Sequence, residues 1–154
     1  MNRIERLATR FRDAIEAALN AGKFRNDVNF CRFPSGCCGH TSDLLAKFFY
    51  ESGIRTWYIS GEYKGESSWN AQNHAWLQTE DGTIIDITGD QFKNHKRILR
   101  YEKRVYVGEM DHFHRLFEMR EPVIGYEEVG PDWLGETKVQ RITRERYEKI
   151  QNYL

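Results

Sequence analysis

Phe33-Pro34-Ser35-Gly36-Cys37-Cys38-Gly39-His40-Thr41-Ser42 runs without a break into Asp43-Leu44-Leu45-Ala46-Lys47-Phe48-Phe49-Tyr50-Glu51-Ser52-Gly53. Pro34 and Gly36 impose a tight, non-helical approach, and the apolar positions that follow, Leu44, Leu45, Phe48 and Phe49, fall on one side of a helical period. The stretch reads as a loop that delivers a cysteine to the first turn of a buried helix. A thiol placed there sees the partial positive charge of unpaired N–H groups, which favours the thiolate, the form that attacks electrophiles. Downstream stand a candidate base, His74, in Asn73-His74-Ala75-Trp76-Leu77, and a candidate orienter, Asp86, in Ile84-Ile85-Asp86-Ile87-Thr88.

Each of these residues taken singly has a bland reading. A free cysteine opening a helix is commonly a small buried apolar residue, and a histidine beside Ala75 and Trp76 can simply belong to a core. Asp86 within an isoleucine-rich strand is harder to dismiss, because a buried carboxylate is costly unless something pairs with it. The combination carries the argument.

Strand register tests it. His74 to Thr79 and Thr83 to Thr88 read as two strands joined through Glu80-Asp81-Gly82. A two-residue Asp81-Gly82 turn would set Leu77 opposite Asp86 and send His74 and Asp86 to opposite faces. A three-residue loop with Gly82 in the left-handed conformation sets Thr79 against Thr83, Trp76 against Asp86 and His74 against Thr88. His74 and Asp86 are then diagonal neighbours on one face, with Cα atoms about 7–8 Å apart. The three-residue loop is therefore expected, and with it Ala75, Leu77, Ile85 and Ile87 on the other face.

The run from Gly36 through Cys38 to Gly53-Ile54, then Tyr58-Ile59-Ser60-Gly61, His74-Ala75-Trp76-Leu77 and Asp86-Ile87-Thr88, resembles the core of the bacterial transglutaminase-like superfamily of papain-fold cysteine enzymes. Asp86-Ile87-Thr88-Gly89-Asp90-Gln91-Phe92 is similar to the end of that core, and the resemblance spans roughly residues 33–92. It implies an α+β fold, a papain-like core in which the nucleophile helix packs on a small antiparallel sheet. Gly53 stands fifteen positions after Cys38, a spacing that matches the family pattern and selects Cys38 over Cys37 as nucleophile. The implied triad is Cys38, His74 and Asp86. The implied activity is thiol hydrolysis of peptide or protein amides through a thioester, the alternatives being a protein-glutamine deamidase, a transglutaminase or another amide acyltransferase. A non-catalytic papain-fold binding module is a second class of reading, against which the intact triad argues.

Other features bound the function. At 154 residues one domain, 1–154, is the economical reading. With 23 basic and 23 acidic side chains the net charge is zero, so nothing points to nucleic acid or an acidic membrane as partner. No apolar run approaches the roughly 20 residues of a transmembrane helix, and the Arg- and Glu-rich start does not read as a signal peptide. A cytoplasmic location follows as the default, and three cysteines make a poor disulfide framework. Cys31, Cys37, Cys38, His40, His112 and His114 lack the paired short spacings of a structural zinc site, so neither metal nor cofactor is expected.

In chain order, Asn2 to Ala21 reads as an amphipathic helix stopped by Gly22, and residues 23–32 as a loop leading to the site. The backbone N–H of Cys38 is the obvious oxyanion donor, with Asn29 and Asn73 as candidates for a second. Arg55 to Glu62 alternates as a strand. Residues 61–72 form a polar loop bearing Tyr63 and Trp69, and Asn29, Trp69, Asn73 and Trp76 are the candidate substrate contacts. Gln91 to Leu99 turns helically, and Lys93, Lys96, Arg97, Arg100, Lys103 and Arg104 read as a solvated basic face. Arg104 to Val107 suggests a strand, Met110 to Met119 a short helix on which His112 and His114 cannot face the same way, and Pro122 to Val129 an edge strand. Pro131-Asp132-Trp133-Leu134-Gly135 marks a turn, and Thr143 caps a terminal helix, Arg144 to Leu154.

Overall fold

The computed structural model describes residues 1–65, 71–128 and 135–154. Helix α1 spans Arg3–Asn20, and the side chain of Asn2 caps it by accepting the Glu5 N–H at 2.8 Å. Its stripe of Ala8, Phe11, Ala14, Ile15 and Ala18 is buried. Helix α2, Cys38–Glu51, buries Leu44, Leu45, Phe48 and Phe49. It ends where Gly53 takes φ +78° and the Ile54 N–H turns back to the Phe49 carbonyl at 2.8 Å, a reversal that side chains with a Cβ resist.

Among the described residues, six short strands form one antiparallel sheet: β1 (Trp57–Tyr63), β2 (Gln72–Gln78), β3 (Ile84–Asp86), β4 (Tyr106–Gly108), β5 (Glu118–Met119) and β6 (Val123–Ile124). The order is β4-β3-β2-β1-β5, with β6 pairing further along the same edge of β1. A four-residue helix α3, His112–Arg115, precedes β5, and α4, Lys138–Gln151, closes the chain. The class is thus α+β, helices packed on a small antiparallel sheet.

The hairpin between β2 and β3 has the expected register. Leu77 pairs with Ile85 and Gln78 with Ile84, the Thr79 N–H meets the Thr83 carbonyl at 3.0 Å, and Gly82 lies at φ +85°. Parity then separates the sheet's two faces. Tyr58, Leu77, Ile85 and Ile87 join the core of α1, α2 and α4. Ile59, Trp76 and Ile84 join a second, aromatic-rich core with Phe92, Leu99, Tyr101, Phe113 and Phe117. Single-turn helices at Gly89–Phe92 and Arg97–Leu99 supply part of that second layer.

Two expectations are corrected. The terminal helix begins at Lys138, capped by Thr137 and Gln140 in a reciprocal box. Thr143 lies inside it, its hydroxyl on the Val139 carbonyl at 3.0 Å. The Thr-x-x-Gln signature at 137–140 was the stronger start signal, because it satisfies two orphan donors at once. Of the expected edge strand at 122–129, the described residues 122–128 contribute the two of β6 to the sheet, and residue 129 lies outside the described residues. The turn expected at residues 131–134 lies outside the described residues. The basic side chains at 93, 96, 97, 100 and 103 are exposed, while Arg104 binds Asp13 and Glu16 of α1 at 2.7 and 2.8 Å.

Candidate active site

The loop before α2 places two adjacent thiols in unlike surroundings. Cys37, the residue preceding the helix, is 1% exposed. Its sulfur faces the Pro34 carbonyl at 3.6 Å and receives the Thr41 hydroxyl at 3.7 Å. Burial pushes this thiol up to about 12, the Thr41 hydrogen bond offsetting only part of the effect. Cys38 is the first helical residue, so its N–H is among those with no partner inside the helix. Burial alone would raise its thiol too, but a hydrogen bond from His74, the charge of that ring and the Ala75 N–H together lower it below the ordinary value.

The Ala75 N–H is free for this role because of the hairpin. In an antiparallel pair, alternate residues direct their N–H groups to the same neighbour. The Thr79 N–H points to β3, hence those of Leu77 and Ala75 do as well. The β3 ladder on β2 reaches only Ile85, opposite Leu77. The next donor along, that of Ala75, turns to the Cys38 sulfur.

His74 and Asp86 are each 1% exposed. The ring donates from Nε2 to Asp86 Oδ2 at 2.7 Å, which leaves Nδ1 as the edge facing the thiol. Asp86 is held from both ends. Its Oδ1 accepts the Thr88 N–H at 2.9 Å, and its Oδ2 also accepts His114 Nε2 at 2.8 Å. Burial would raise the Asp86 carboxyl, yet the charge of His74 and the hydrogen bonds from His114 and His74 hold it well below the usual carboxylate range. Burial would depress His74, and the opposing charge and hydrogen bond of Asp86 reverse this, raising the ring to about 9. The three residues expected to act together therefore meet, with a charge distribution that favours thiolate and imidazolium.

The expected substrate contacts divide. Trp76 is 1% exposed and packs edge-on against His114 with ring centroids 4.8 Å apart. It is a wall of the second core and presents no surface to a substrate. Asn73 is exposed beside His74 and, by alternation, on the opposite face. Asn29 lies in the turn braced by Asp27, to which its N–H donates at 3.0 Å, and Asp27 is gripped in turn by Arg146 of α4 at 2.8 Å. Trp69 lies outside the described residues.

Two further residues belong to the site. Gln91 donates from Nε2 to the Thr88 carbonyl at 3.1 Å and sits at the same distance from His74 Nδ1. His114, 0% exposed, spans Asp86 and Asp111. The helical argument separating His112 from His114 holds, since His112 is exposed, but it does not say which one is buried. Asp111-x-x-His114 at the start of α3 was the available signal: Asp111 caps the His114 N–H at 2.9 Å and brings the ring inward.

His74, Asp86 and His114 offer ligand-type atoms within 4.8 Å of one another. The Nε2–Oδ2 separations of 2.7 and 2.8 Å are those of hydrogen bonds. Two ligands of a tetrahedral zinc at roughly 2.0–2.1 Å would stand about 3.3 Å apart, so the cluster is closed around protons. Compared with family models, with curated proteins and with solved structures, the chain matches none. Among the described residues, no helix is long and apolar enough to cross a membrane.

Proposed function

We propose that the protein is a thiol hydrolase of peptide or protein amides, acting through Cys38, His74 and Asp86 in the manner of the transglutaminase-like cysteine enzymes its motifs resemble. The observation that carries this reading is the His74–Asp86 hydrogen bond at 2.7 Å behind a thiol lowered by that same ring. Thiolate Cys38 attacks the amide carbonyl carbon, and the carbonyl electron pair moves onto oxygen. The Cys38 N–H, unpaired at the helix start, is placed to donate to that oxyanion. As the intermediate collapses, the C–N bond breaks and His74 Nδ1–H protonates the departing nitrogen, leaving a thioester and a neutral ring. His74 then takes a proton from water as its oxygen attacks the thioester, and the carboxylic acid leaves with the thiolate restored. Asp86 keeps the other ring nitrogen protonated, so that Nδ1 is the atom that gives and takes the proton.

Alkylation with iodoacetamide, the modified residue located by mass spectrometry, tests the reading. Rapid labelling of Cys38 well below an ordinary thiol's pKa of about 8.5, abolished in His74→Ala, is expected. Hydrolysis of casein or a peptide-amide library by wild type and not by Cys38→Ala then establishes the reaction. Slow labelling with an ordinary thiol profile in both proteins refutes it.

A further inference from the structure

The triad described above ends at Asp86, but the hydrogen-bonded chain does not. His114 places Nε2 at 2.8 Å from Asp86 Oδ2 and Nδ1 at 2.6 Å from Asp111 Oδ1. Both ring nitrogens thus face carboxylate oxygens, and a neutral imidazole has one N–H to give. A neutral ring, itself 0% exposed, would set a nitrogen lone pair against a carboxylate lone pair, at the buried Asp86 or at the partly buried Asp111, and an unmet polar pair in such surroundings is costly. We propose that His114 is held as an imidazolium and is a positioning residue for the triad, fixing Asp86 from the side opposite His74 and sharing the negative charge that would otherwise fall on His74 alone. The inference rests on the functional reading above for its consequence in catalysis, though not for its geometry.

The surroundings fit a ring built into place. The His114 backbone N–H is tied to the same Asp111 oxygen at 2.9 Å, so backbone and side chain are pinned together. Tyr106 of β4 stacks on the ring at 5.5 Å, while Trp76 of β2, Tyr101 and Phe113 meet it edge-on. The titratable groups around it are His74 on β2, Asp86 on β3, Tyr106 on β4, Tyr101 before β4 and Asp111 at the head of α3. Tyr101 donates to the second Asp111 oxygen at 3.1 Å. Lys103 stands beyond them, its ammonium 4.9 Å from the Tyr106 ring centre. Counted as charges, Asp86 and Asp111 stand against His74 and His114, with the Cys38 thiolate a third anion beyond His74, so a neutral His114 would leave one cation facing three anions.

The catalytic consequence concerns how firmly His74 keeps its proton. A lone buried Asp86 would bind that proton strongly and make it a poor donor to a leaving amine. A second cation on the same oxygen weakens the hold. The two rings lie 6.2 Å apart, and at an effective dielectric constant of about 20 a unit charge at that distance displaces a neighbour's titration by about two pH units.

Long-range proton–nitrogen spectra of the full chain, labelled with nitrogen-15 in histidine, test this. In wild type near neutral pH, both ring nitrogens of His114 should be protonated. In a Cys38→Ala background, where the thiol no longer couples to the base, His114→Gln should move the His74 titration upward by one pH unit or more. The glutamine amide can still donate one hydrogen bond to Asp86, so a folded variant isolates the charge. One unprotonated His114 nitrogen in wild type overturns the proposal, as does an unmoved His74 titration in the folded variant. If His114→Gln does not fold, the wild-type spectrum decides alone. Neither readout uses turnover, so failure of the hydrolase reading would appear separately, as an unreactive Cys38.

Discussion

Replacing Asp86 by asparagine keeps the shape of the side chain and inverts what it offers. Oδ2 accepts from both His74 and His114 at 2.7 and 2.8 Å, whereas an amide nitrogen there can only donate. Both rings must then present a lone pair, and His74 is driven to the tautomer with its proton on Nδ1, facing the thiol. The magnitude follows from the charge removed. His74 is raised from 6.5 to about 9 against the effect of its burial, roughly 3 kcal/mol of preference for the charged ring. Without Asp86 the ring loses the largest contributions that raise it, keeps the smaller support of Cys38 against the effect of burial, and falls back toward its ordinary value. At that ordinary value the imidazolium fraction at about pH 7.5 falls from about 97% to about 9%, and thiolate stabilised by it falls about tenfold. Turnover, which also needs the correct tautomer, should fall by about a thousandfold or more. The assay is the rate of Cys38 alkylation at that pH, with Cys37 as an internal control: its burial keeps it unreacted unless the protein unfolds. A folded Asp86→Asn protein whose Cys38 reacts within twofold of the wild-type rate would refute the reasoning.

Cys38→Ala should abolish the rapid labelling and turnover, leaving only the reaction of the exposed Cys31, with the thermal transition nearly unchanged, whereas Cys37→Ala should keep both activities; the reverse pattern would reassign the nucleophile. In the Cys38→Ala protein, stability measured by urea unfolding should depend on pH on two sides. Asp86, depressed by folding, contributes stability present above its ordinary 3.8 and lost as pH falls below it. His74, still raised there by the charge and hydrogen bond of Asp86, contributes stability fully present below 6.5 and lost as pH rises through its raised folded-state value, which lies lower than in wild type because the Cys38 contribution is gone. A curve flat across both windows would contradict this. Trp76→Ala should cost about 3–5 kcal/mol in a urea titration, as expected for a buried ring that does not touch substrate; a loss under 1 kcal/mol together with a raised KM would restore the binding role.

The hairpin and the meeting of His74 with Asp86 were legible because strand parity is a local property of sequence. Asp81-Gly82 announces a turn, and the need to bring His74 and Asp86 to one face selects its length. α1 was legible for the same reason, its stripe and its Gly22 stop being periodic and local. What sequence did not disclose depends on contacts between distant segments. His114 reaches Asp86 across 28 positions, and the local Asp111-x-x-His114 cap marks which ring is held without saying which distant carboxylate it meets. Trp76 looked available beside His74 because a strand's two faces are equivalent until something covers them, and here Phe113 and Phe117 arrive from far along the chain. The start of α4 was misplaced for a different reason. Thr143 is a competent cap by type, but Thr137 with Gln140 is a better one, and only the pair distinguishes them.

The three-residue loop at Glu80-Asp81-Gly82 has a consequence for which changes in length the chain can accommodate. Exposed hairpin tips are ordinarily where insertions and deletions are best tolerated. Here the tip also guards the register. A change of one residue taken up by a slip of the pairing would turn Ile84 and Asp86 over together, exposing an isoleucine pattern on the wrong side and taking the carboxylate away from both histidines. The same change absorbed within the loop, as a four-residue turn, would leave Thr79 opposite Thr83 and the faces as they are. Length changes at this tip should therefore be tolerated only where that pair survives them, and a slip that breaks it should disable the protein as completely as loss of the thiol.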